Sequence, residues 1–109
     1  MSINVSAIAK EMLNAAKPIL QNAWKEVKPF AEKESKAFAQ NLAMIGKLKL
    51  EGKITKEEAL LHIQIQKNSF RTVLLAIQGL GLIAVENALN AAIAVIATTV
   101  NKAIGWNLL

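Results

Sequence analysis

Between Val5 and Leu48 the apolar residues recur every eleven positions. Val5, Ala16, Val27 and Phe38 form one row, Ile8, Ile19 and Phe30 a second, and Ala9, Leu20, Ala31 and Leu42 a third. A weaker row of Met12, Ala23 and Ile45 is interrupted by Glu34. Polar rows keep the same spacing: Asn14, Lys25, Lys36 and Lys47 on one line, Glu11, Asn22 and Lys33 on another. Eleven residues in three turns is about 3.67 per turn, so the apolar stripe stays on one helical face with a slight right-handed drift. The pattern predicts one long amphipathic helix. Pro18 and Pro29 fall inside it, each preceded by a lysine, which is a poor N-cap. The expectation is therefore two kinks, not two loops.

Leu50-Glu51-Gly52-Lys53-Ile54-Thr55 is the one convincing break. Gly52 suits the residue after a helix end, where positive φ is needed. Thr55-Lys56-Glu57-Glu58 matches a capping box, with Thr55 as N-cap and Glu58 three residues on. Beyond Lys56 nothing stops the second helix cleanly. Gly79 and Gly81 each cost about 1 kcal/mol relative to alanine, but their neighbours Leu80, Leu82 and Ile83 are not loop formers. The expected fold is all-α and a single domain over 1–109: a helix over about 3–50, a turn at 51–54 and a helix over about 56–104.

Such a hairpin would run on the order of 70 Å at 1.5 Å per residue. It would set Trp24 opposite Gly79 and Gly81, a large-against-small match. Past Thr72 the second helix is apolar nearly all round, and one hairpin covers only one side of it. Self-association into a four-helix bundle is the simplest remedy, with Leu75, Leu82, Val85, Leu89 and Ile93 at the contact. The competing arrangement buries the same residues within one chain, breaking near Pro18 or Pro29 and again near Gly79–Gly81.

The charge is uneven. Residues 1–56 hold ten lysines and five glutamates, whereas residues 73–109 hold only Glu86 and Lys102. The whole chain of 109 residues carries +5 and contains no cysteine, which excludes disulfides and thiolate chemistry. Lysines interleaved with Glu11, Glu26, Glu32 and Glu34 read as a solvated helix face. One arginine and few aromatics argue against nucleic acid as a partner. The amino-terminal residues lack the basic and apolar segments of a secretory signal, so a cytoplasmic location is expected.

Candidate chemistry is sparse. Glu86 is the only charge between Arg71 and Lys102 and is the one candidate functional carboxylate. The structural reading holds it against a polar neighbour such as Asn90, or a group from another subunit; burial would raise its pKa. His62, four residues after Glu58, offers one Glu–His pair where di-iron bundles need several. No catalytic residue, cofactor or metal site is expected. Residues 73–100 hold a single charge and exceed the roughly 20 residues needed to span a bilayer, but Glu86, Asn87 and Asn90 sit at their centre. The expected function is a non-catalytic helical module for self-assembly or protein interaction, with itself as partner. A membrane-active or lipid-surface protein on an anionic surface is the first alternative. A small metal- or ion-binding protein using Glu86 or His62 is the second.

Overall fold

A computed structural model of the chain describes residues 3–77 and 79–109. Among these residues there are four α-helices and no strand: α1 Val5–Leu20, α2 Trp24–Leu50, α3 Lys56–Leu75 and α4 Leu82–Ile104. The all-helical class agrees with the sequence reading, but the two long helices do not. Each is broken once. The first turns over at a short 3₁₀ segment, Gln21–Ala23, and the second between Leu75 and Leu82. The molecule is accordingly 43 Å long and 22 by 18 Å across, far short of an extended hairpin.

Successive helices run back along one another. Ser69 of α3 reaches Glu34 of α2, and Glu86 of α4 reaches Arg71 of α3. The ring is closed by α1, which packs most extensively on α4 and α2. Ile8, Met12, Ala16 and Leu20 of α1 are buried together with Val85, Ala88, Leu89, Ile96 and Val100 of α4. The apolar flank of α4 is thus covered by the chain's own first helix. Most of the eleven-residue rows point inward: Ala16, Val27, Phe38, Ile8, Leu20, Ala31, Leu42, Met12 and Ile45 are buried, Val5, Ala9, Ile19 and Ala23 are half-buried, and Phe30 is exposed.

The caps explain where the helices begin and end. Asn4 Oδ1 accepts from the Ala7 amide at 3.0 Å and starts α1. Thr55 and Glu58 form the reciprocal capping box, at 3.1 and 2.9 Å. At the end of α2, Gly52 (φ +67°) donates to Lys49 O and Lys53 donates to Leu48 O. That pairing is a Schellman ending, which satisfies two otherwise orphaned carbonyls. Lys49 also caps a different helix: its Nζ donates to Ile104 O at 2.6 Å, at the negative end of α4, and lies over the Trp106 ring. Asn101 folds the tail back, accepting from the Leu108 and Leu109 amides at 2.9 and 3.0 Å.

The prolines lie inside α1 and α2, so neither starts a loop; the chain turns three residues after Pro18 instead. Gln21 carries the turn, at φ 34° and ψ −104°. This is a conformation that side chains rarely adopt, at a cost of order 1–3 kcal/mol. The glycines at the second break are also explained differently. A Cβ at Gly79 or Gly81 would meet nothing within 4 Å, so neither makes room for Trp24. Gly79 has φ +92° and serves the turn. Gln78, beside it, lies outside the described residues.

The turn at Gln21 yields a test of sign. Gln21→Gly relieves strain in a turn and should raise stability by about 1 kcal/mol. In a continuous helix the same change would lower it by about 1 kcal/mol. Chemical denaturation of the two proteins distinguishes the cases.

Candidate functional site

The surface divides by charge along the helices. α1 and α2 carry lysines at intervals throughout, whereas residues 59–101 hold only Lys67, Arg71 and Glu86 as charges. Two of those three neutralise each other. The Arg71 guanidinium grips Glu86 with both Nε and Nη2, and its Nη1 donates to Asn68 Oδ1 at 2.6 Å. Gln64 extends the chain, donating to the same Asn68 oxygen at 3.3 Å. The fork-to-carboxylate geometry belongs to the stronger class of ion pairs.

Glu86 is therefore held across α3 and α4 within one chain. Its partner is Arg71, not Asn90 and not a group from another subunit. About a third of its side chain is exposed, at 35%. The Arg71 hydrogen bond holds its carboxyl below the usual carboxylate range, opposite to the rise expected from burial. Glu58 is likewise lowered, by the Thr55 backbone amide. His62 lines a shallow groove with Glu58, Leu61 and Ile65, near the start of α3. Arg71 lies nine residues further along that helix, about 13 Å away, so Glu86 and His62 form no joint site. Among the described residues no group of three or more His, Cys, Asp or Glu side chains could hold a metal ion.

The five residues expected at a contact between copies do not share a surface. Val85, Leu89 and Ile93 are buried in the chain's own core, beneath α1. Leu75 and Leu82 remain exposed. The reason is the turn at Gln21, which brings α1 onto the flank of α4 that would otherwise need a second chain. Two exposed residues on α3 were not singled out by sequence: Leu61 and Ile65, at 64% and 62% exposure. Their i, i+4 spacing is legible in the sequence, but spacing alone does not say whether that face is covered.

With Asn68, Thr72 and Leu75 these two residues form one stripe along α3, by 3.6-residue spacing. Asn87, Asn90, Ala94 and Thr98 form a parallel exposed stripe on α4. The Arg71–Glu86 pair lies between them. Neither stripe contains a charge, and the first carries three large apolar side chains.

Grooves elsewhere are shallow. One of about 280 Å³ lies between α1 and α2, floored by Val5, Ala9 and Leu13 and rimmed by Lys10, Glu32 and Lys36. Another of about 300 Å³ joins Phe30, Lys33 and Glu34 of α2 to Val73, Ala76 and Ile77. Both sit at the small end of the roughly 300–1,000 Å³ of ligand pockets. Ser35 Oγ is buried without a hydrogen-bond partner, and it lines neither groove. α4 is the one described helix long and apolar enough to cross a membrane. No protein-family model, curated protein or solved structure matches the chain.

The Arg71–Glu86 pair sets a pH dependence. A carboxyl lowered in the folded state stabilises the protein above its unfolded pKa, and that contribution is lost as pH falls through the folded value. Glu86→Gln should therefore be less stable than the parent at neutral pH. The gap should close as pH drops from about 5 toward strong acid. Denaturation midpoints across that range check it; a parent that gains on the variant on acidification would show that burial governs Glu86 instead.

Proposed function

We propose that the chain is a non-catalytic helical module that self-associates through the face formed by α3 and α4. The observation that carries this reading is the charge-free stripe Leu61-Ile65-Asn68-Thr72-Leu75, whose leucines and isoleucine remain in water in the closed chain. Interface centres are marked less by overall hydrophobicity than by depletion of charge around a few large apolar side chains. The α4 stripe beside it, with Asn, Ala and Thr, allows a second backbone to approach closely.

A second copy is the occupant that best fits the charges. Two α3–α4 faces brought together oppose few charges, because Arg71 and Glu86 already neutralise one another and Lys67 is the one other charge between residues 59 and 101. Two α1–α2 faces would oppose surfaces on which lysines outnumber glutamates. A two-fold contact needs only one self-complementary patch. The long side of the molecule, 43 by 22 Å, is large enough for the roughly 800 Å² per partner of a standard interface. Two helices of each copy, α3 and α4, would then flank a shared seam, so a bundle-like assembly arises between complete chains and not from two half-covered hairpins.

The reading is tested by light scattering in the absence of detergent. The parent should have at least twice the monomer mass at micromolar concentration. Leu61→Glu combined with Ile65→Glu should yield a folded monomer, weakening association by at least about a hundredfold, or ~3 kcal/mol. Both side chains are more than half exposed, so the fold itself should survive by circular dichroism. A parent that is monomeric under these conditions refutes the reading.

A further inference from the structure

We propose that the end of the molecule built around the α3–α4 connection is a lipid-docking tip that seats on an anionic bilayer surface. Connections between helices are normally polar, because they face water. Here residues 72–85 contain no charge at all, and Leu82 and Ile83 are 59% and 78% exposed at the start of α4. Leu75 and Phe30 are exposed at the same end, and Leu80 is partly so. Five large apolar side chains thus ring one narrow end of an elongated body, 22 by 18 Å in section. This cluster is separate from the α3 stripe, sharing only Leu75 with it.

Cations stand behind the cluster. Lys33 lines the same groove as Phe30, Val73, Ala76 and Ile77, together with Glu34. Lys17 in the last turn of α1 and Lys25 and Lys28 in the first turns of α2 belong to the same end. Three glutamates share it. Glu32 lies 3.8 Å from Lys28, Glu34 accepts from Ser69, and Glu26 is exposed. Among the described residues, Lys17, Lys25 and Lys33 take part in no ion pair. The tip is therefore slightly positive, on a chain of net charge +5.

An apolar end backed by lysines matches the layered chemistry of a membrane surface. Leucine and isoleucine enter the boundary of the acyl chains, and long lysine side chains reach the phosphates above it. Each lysine near an anionic surface strengthens binding by about fivefold. A protein partner would need a pocket shaped to this end, whereas a bilayer takes it as it stands.

The test is flotation of the full chain with vesicles of phosphatidylcholine alone or mixed with phosphatidylserine. The parent should bind the mixed vesicles and lose binding as salt is raised. Ile83→Asp and Leu82→Asp should each reduce binding roughly tenfold without changing the fold, since both residues are exposed. Lys25→Gln with Lys33→Gln should reduce binding to the mixed vesicles only. The Leu61→Glu, Ile65→Glu protein separates this proposal from self-association: it should still bind vesicles as a monomer. Orientation is read from the two tryptophans, which lie at opposite ends of the molecule. Brominated lipid should quench Trp24, in a Trp106→Phe protein, more than Trp106 in a Trp24→Phe protein. The proposal is overturned if the parent does not bind mixed vesicles, if Ile83→Asp binds like the parent, or if Trp106 is the more strongly quenched. A tip substitution that alters molar mass but not vesicle binding would make this end a protein contact.

Discussion

Helix α4 is apolar around most of its circumference, and covering it shapes the rest of the chain. Between Glu86 and Lys102 it has no charge, and only the Asn87-Asn90-Ala94-Thr98 side is exposed and partly polar. The fold meets this by bringing the first helix back onto the last. Val85, Leu89, Ile96 and Val100 are then buried against Ile8, Met12, Ala16 and Leu20. Reversing the chain at Gln21 costs of order 1–3 kcal/mol in backbone strain, and a single buried leucine or isoleucine returns about 1.5–3 kcal/mol. Four residues of α1 are buried in exchange. The balance favours the turn.

What remains uncovered follows from the same closure. α1 occupies one flank of α4 and α2 lies against α3, so the outer sides of α3 and α4 are left to solvent. These are the sides that lack charge. The one ion pair there, Arg71 with Glu86, ties two helices that touch each other less than either touches its other neighbour. It fastens this weaker seam, and its neutrality leaves Lys67 as the one other charge between residues 59 and 101.

Local chemistry was legible in the sequence where a single residue type dictates geometry. Gly52 as the helix end and Thr55–Glu58 as the next helix start are both found where the residues predict them. The eleven-residue rows mark the inner face of α1 and α2 except at Phe30, which is exposed. The breaks fall where the competing single-chain arrangement puts them, near Pro18 and near Gly79–Gly81, but the residue that carries the first turn is not legible, because Gln21 is not a residue type that favours positive φ. The break at Gly79 and Gly81 is obscured for a related reason. Their apolar neighbours spoke against a loop, and it is those neighbours, Leu82 and Ile83, that the loop leaves in water. Glu86 was recognised as isolated along the chain, but Arg71 lies fifteen residues earlier and meets it only after the turn.

The fold depends on α1 folding back within one chain, and a single intramolecular distance reports on it. With no native cysteine, spin labels can be placed at Ser6→Cys and Leu50→Cys alone. Ser6 lines a groove with Lys36, and Lys36 to Leu50 is 14 residues of α2, about 21 Å. Pulsed dipolar spectroscopy on labelled protein diluted into unlabelled protein should give a single distance of roughly 20–30 Å. A distance near 66 Å, the length of an unbroken helix from residue 6 to residue 50, would contradict the account.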